Sequence, residues 1–412
     1  VRRTTTRTIA LVTSLAISGA TGAAVATAAP TTSSAASASS AAASVATDGH
    51  TDDVVAGTTS DPRAARLLAS ARARLPADWR ARQAVALQRF GIEQSTARDA
   101  LERAIDPTQY PCAPTRLVAY VHDLLAGVDP SSVELLTMLG AFDFPSFDAV
   151  LSGTSGDPRY ALDEAHRSEL TSSFRAAQRF WDTDGSDIAL MGMHGDLMRD
   201  PARLTPLIGF LYGIPESEAA EWAALVVEVV TGDPGLADGD SPLFTLNAFA
   251  WSGEGDPILS SLPDKLVFGD GMLDALGAIG VGDVGPRAIL GHEYGHHVQY
   301  DRDLFDSPLT GAEATRRTEL MADAFGTYFV THKRGLALNT ARVLQAEQSF
   351  YEAGDCSFTS AGHHGTPDQR LRASTWGASV AADAHKQGHV LPSLTLDAQF
   401  EAQLPVFVAP DA

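Results

Sequence analysis

Two histidines four residues apart, with a glutamate beside the first, stand in His292-Glu293-Tyr294-Gly295-His296. On an α-helix that spacing puts both imidazoles on one face, where they can grip one metal ion. Glu293 then sits beside the ion, placed to take a proton from bound water. Glu319 follows 23 positions after His296, within Glu319-Leu320-Met321-Ala322-Asp323. A carboxylate ligand from a second helix leaves one coordination position open, as catalytic zinc requires. Asp323, one turn on, is placed to accept a hydrogen bond from a ligand histidine and fix its tautomer. The competing reading makes Glu319 and Asp323 an ordinary acidic helix face paired with Arg316 or Arg317. Gln299 and Arg302 stand where a metzincin needs glycine and histidine, which excludes that pattern. His297, about a third of a turn from His296, reads as structural. His363 and His364, in Gly362–Pro367, either bring an imidazole to the open side of the metal to stabilise an oxyanion or form an exposed loop.

These side chains need elements to carry them. Gly285-Pro286 starts the helix bearing the histidines, with proline at its first position. The second ligand helix is read from Ala312 to Thr331, and another starts at Pro367. Leu243–Ala250 is β-compatible, and Lys265–Phe268 reads as a short strand closed by Gly269-Asp270-Gly271. The order is strand, strand, metal helix. Before them, helical signals run from Asp61-Pro62 onward, over Thr115–Ala126, Ser132–Leu139 and Glu216–Val230. Leu162, His166, Leu170, Phe174, Ala177 and Trp181 share one helical face, and His166 reads as a packing residue. Met191-Gly192-Met193-His194 reads as core filler with a turn.

The turn-rich stretch Thr231–Pro242 is taken as the boundary between a helical region, 61–235, and a catalytic region, 236–412. Its aspartates could hold calcium, but their spacing fails the EF-hand pattern, so a Ca2+ site has no support. Arg2, Arg3 and Arg7, an apolar run from Ile9 and Ala26-Thr27-Ala28 read as a signal peptide over 1–28, too short for a membrane span. Residues 29–60, mostly Ala, Ser and Thr, read as a disordered spacer. An exported, secreted location follows, with no integral membrane segment after the leader. Net charge is −21 for the whole chain, against binding nucleic acid or anionic membranes. Cys112 and Cys356 are read as one disulfide of an oxidising compartment, with two buried thiols as the alternative.

HEYGHHVQ at His292–Gln299, ELMAD at Glu319–Asp323 and HGTPDQR at His364–Arg370 resemble the bacterial neutral zinc metallopeptidases. The wider layout is similar to the Glu-zincin clan, with the thermolysin-like peptidases its best-known members. The resemblance covers about 243–377. It implies His292, His296 and Glu319 as ligands of one Zn2+, Glu293 as general base and Asp323 as their support. It also implies that Asn247 and Ala248 hold substrate backbone along an edge strand. No tyrosine stands between Tyr300 and Glu319, unlike in thermolysin-like peptidases, which leaves His364 or Tyr351 to assist the tetrahedral intermediate.

The expectation is an α+β, predominantly helical chain with a zincin-like catalytic domain. It would hydrolyse peptide or protein substrates. The alternatives are a metal-stabilised extracellular binding or scaffold protein and a zinc amidase acting on cell-wall peptides. The region before the boundary reads as a prosegment, a substrate domain or a lid.

Overall fold

Aspartate-proline pairs open many of the elements in the computed structural model, which describes residues 61–90, 116–351 and 365–409. The expected signal peptide and spacer, Cys112, Cys356, His363 and His364 lie outside the described residues. Proline fixes the φ of a first helical turn and lacks the N–H that would go unbonded there. The preceding carboxylate accepts the N–H two residues on: Asp61 from Arg63 at 2.8 Å, Asp129 from Ser131 at 2.8 Å and Asp200 from Ala202 at 2.9 Å.

The described helices are α1 (Pro62–Arg74), α2 (Trp79–Phe90), α3 (Arg116–Leu125), α4 (Pro130–Met138), α5 (Phe144–Ser152) and α6 (Glu164–Phe180). Then come α7 (Pro201–Tyr212), α8 (Glu216–Gly232), α9 (Asp270–Ala278) and α10 (Gly285–Arg302). The last are α11 (Ala312–Thr331), α12 (Thr340–Tyr351), α13 (Pro367–Gln387) and α14 (Ser393–Phe407). A single described sheet joins β1 (Ala189–Met193), β2 (Ala248–Trp251) and β3 (Lys265–Gly269) in the order β1-β3-β2. The chain is α+β and mostly helical, as expected. No single described helix is long and apolar enough to cross a membrane, and the apolar pair Pro130–Met138 and Ala141–Ser152, which passes only jointly, is bent by 72°.

β1 runs parallel to β3 with Ala189 opposite Lys265, and β2 runs antiparallel with Ala248 opposite Phe268. Strand β1 holds the Met191-Gly192-Met193 segment that composition alone reads as core filler with a turn; it is core, but in a strand. Methionine fills it because both faces of the sheet are covered by helices, and a strand buried on both faces carries no alternation. Pairing of β1 with β3 also crosses the expected division near residue 235. The two halves share one hydrophobic core, and within Thr231–Pro242 Leu236 is fully buried. That stretch is a tight connection inside one body: the sheet needs a strand from each side of it. Lys265 shows how closely the layers are tied. Its buried ammonium donates to the carbonyls of Ala149, Val150 and Gly153 at 2.6–2.9 Å, closing the C-terminal end of α5.

Helices α10 and α11 are buried along most of their length and touch backbone to backbone. A Cβ on Gly326 would stand 2.6 Å from the His292 nitrogen, and one on Gly291 would stand 2.7 Å from Val330. Glycine at these places lets the two helices approach more closely than side chains allow. Behind them Trp181 stacks on Phe325 at 5.5 Å between centroids, and Phe180 packs on Phe329 at 5.1 Å.

Candidate metal centre

That close approach brings His292 and His296 of α10 onto Glu319 of α11. One ligand atom from each lies within 4.8 Å of the others. The imidazole Nε2 atoms are 3.1 Å apart, with His296 Nε2 3.4 Å from Glu319 Oε1 and His292 Nε2 3.6 Å from Glu319 Oε2. Three donors bound to one ion at about 2.0–2.1 Å with tetrahedral angles would be spaced by about 3.3 Å. The observed distances of 3.1–3.6 Å lie near that figure, with the two imidazoles facing different oxygens of the Glu319 carboxylate.

The tautomers fit as well. Gln299 donates its amide N–H to the Thr318 carbonyl at 2.8 Å, which turns its oxygen toward His296 Nδ1 at 2.9 Å. An amide oxygen only accepts, so His296 carries a proton on Nδ1, and the neutral ring then presents its lone pair at Nε2. His292 Nδ1 faces the Asp323 carboxylate at 2.8 Å and is fixed the same way. Burial pulls the His292 pKa below its ordinary 6.5, outweighing the neighbouring carboxylates, so the ring is neutral. Two imidazole lone pairs and a carboxylate thus face a common point, a set a cation satisfies. Two nitrogens and one oxygen suit zinc or a similar transition ion, whereas calcium takes six or more oxygens.

Arg370, from α13, completes the arrangement. Its Nε and Nη2 each donate to Asp323 at 2.8 Å, and Nη2 reaches Glu319 Oε2 at 3.4 Å. Burial alone would raise the Asp323 pKa, but the Arg370 charge and the bonds from His292 and Arg370 outweigh it and hold the carboxyl well below the usual range. Arg316 and Arg317, the alternative partners, are engaged elsewhere: Arg316 with Glu313, and Arg317 with Glu401 and the Leu304 carbonyl.

Glu293 points to the edge strand. Its Oε2 accepts the N–H of Ala250 at 2.8 Å. Asn247 bonds its carbonyl to Gly269 of β3, so the alternation of an antiparallel pair turns the peptide groups of Ala248 and Ala250 away from β3. Ala248 thus lies on the same edge as the peptide group that holds Glu293. The Asn247 side chain is buried, with Nδ2 3.5 Å from Ser146, and all four residues of β2 are buried. His297 bonds the Lys265 carbonyl at 2.9 Å and ties α10 to β3, a structural role. Tyr351 ends α12. Gln299 and Arg370 were given no role by spacing: Gln299 shows only as a residue one turn past His296, and Arg370 lies 47 positions from Asp323 with no periodic link.

Comparison with protein-family models, curated proteins and solved structures finds no match. The likeness to the neutral zinc metallopeptidases therefore rests on the three motifs alone.

Proposed function

We propose that this chain is an exported zinc metallopeptidase with a zincin-like site. The observation that carries the reading is the meeting of two imidazoles and Glu319 beside a second carboxylate, Glu293, that a backbone N–H orients. A structural zinc site has no need of that second carboxylate. His292, His296 and Glu319 would hold the ion, which when bound supplies Lewis acidity and a more acidic water. Glu293 takes a proton from the attacking water and returns it to the leaving amine, a base turned acid. The Ala250 N–H keeps its carboxylate aimed while it does so. The outward peptide group of Ala248 and the Ala250 carbonyl would offer an extended substrate main-chain hydrogen bonds, which demand register more than side-chain identity. Asp323 and Gln299 hold the two rings against rotation.

Glu293→Gln is expected to keep stoichiometric zinc and the same fold while peptide hydrolysis falls by about a thousandfold. Metal analysis beside cleavage of casein or a quenched peptide checks both. Substantial residual turnover would remove Glu293 from this role. Burial of the whole edge strand favours a second reading, a metal-stabilised binding protein. Bound zinc with no turnover on a broad panel, cell-wall peptides included, would select it.

A further inference from the structure

Residues 61–90 are charged oppositely to the rest of the chain. They hold seven arginines against two aspartates, net +5 within a chain of net −21, so the remainder carries −26. Helices α1 and α2 meet that acidic remainder through ion pairs: Arg63 with Glu228 at 3.3 Å, Arg74 with Glu221 at 3.8 Å, Arg89 with Asp256 at 3.4 Å, and Arg72 with Glu134. Most of these side chains are a third or more exposed, where ion pairs are weak and screened by salt.

The apolar contact beneath is thin. α1 buries Ala64, Leu68 and Ala71, and α2 buries Ala86 and Phe90. Clefts open to solvent lie along the same seam, one of about 280 Å³ between α1 and the α4 and α8 ends, another of about 350 Å³ between α2 and Phe210–Gly213. The seam contrasts with the backbone-close packing of α10 on α11.

The last residue of α2 lands on the edge strand. Trp251 donates its indole N–H to the Phe90 carbonyl at 2.7 Å, and both residues are at most 2 % exposed. The Phe90 ring anchors there 4.9 Å from Phe147. Trp251 follows Ala250, whose N–H holds Glu293.

We infer that residues 61–90 form a basic strap, docked on the acidic body by salt-sensitive contacts, that closes the Trp251 end of β2 until it is released. Screening weakens the ion pairs, the thin seam opens, and withdrawal of Phe90 uncovers the Trp251 indole at the end of β2. The effect on cleavage rests on the peptidase reading; the docking does not.

Hydrogen exchange on the full chain, at about 0.05 M and about 0.5 M salt, tests it. Segments 61–90 and 248–252 are expected to lose protection together by about tenfold or more at high salt, while α11 stays unchanged. The triple variant Arg63→Glu, Arg72→Glu, Arg74→Glu is expected to show that loss already at low salt. If it fails to fold, the wild-type salt series decides alone. Residues 61–90 as protected as α11 at both salts would overturn the strap, as would its release without deprotection of 248–252. Joint deprotection upholds it. A parallel rise in quenched-peptide cleavage by the zinc-loaded chain then extends it to catalysis, whereas joint deprotection without any cleavage leaves the strap standing and counts against the peptidase reading.

Discussion

Arg370 offsets a charge that the metal helices cannot balance by themselves. Glu319 and Asp323 are both nearly buried, and each would be expensive to ionise there without a cation. The guanidinium fork meets both oxygens of Asp323, a planar match that lysine cannot copy. Through Asp323 it also fixes the His292 ring. Arg370→Gln is therefore expected to weaken zinc binding by about 10–100-fold, with Arg370→Lys recovering only part of it. Competition with a chromogenic chelator measures this, provided circular dichroism shows the variant folded. Unchanged affinity in folded Arg370→Gln would make the residue a stability element only.

Between elements, the α10–α11 spacing sets the distance from imidazole to carboxylate. Gly326→Ala puts a methyl group against the His292 backbone and must push the helices apart. Overpacking of this kind costs about 1–3 kcal/mol. Zinc affinity should fall with stability, whereas exposed Gly277→Ala, with nothing near its Cβ, should leave affinity intact. Titration of both variants with zinc separates the cases. Helix α12 contributes a different property. Burial of Glu347 lifts its pKa from the ordinary 4.5 to about 8, although its Oε1 accepts from Thr327 at 2.7 Å. A carboxyl that binds its proton more tightly when folded destabilises the fold as pH rises from 4.5 toward 8, and no further above that. Glu347→Gln should flatten this part of the pH profile and unfold at higher denaturant than wild type near pH 8. Denaturant midpoints across that window test the sign.

Over the whole molecule, the candidate ligands sit on helices at the centre of a shared core, so an ion bound there would link its occupancy to global stability. An ion that binds only the folded state at about a thousand times its Kd adds about 4 kcal/mol. Zinc is expected to raise the thermal midpoint by several degrees and a chelator to reverse the shift. A midpoint indifferent to both would mean that the cluster does not hold zinc. The same core explains why residues from both sides of Thr231–Pro242 cannot be treated as separable parts: Lys265 on β3 bonds the end of α5 from well before that stretch.

The amino-acid sequence by itself determined the two metal helices, because proline starts, helical periodicity and the HExxH spacing are local properties. It also determined which faces the histidines and Glu319 occupy, since a helix repeats every 3.6 residues whatever surrounds it. Tertiary structure decided the rest. Strand β1 was hidden because burial on both faces erases alternation. The partners of Asp323 and Glu293, Arg370 and the Ala250 N–H, come from distant segments, and no local period records which chains meet in a core. Docking of residues 61–90 on the acidic body belongs to the same class: the charges are legible in order, but their pairing is a fact of space.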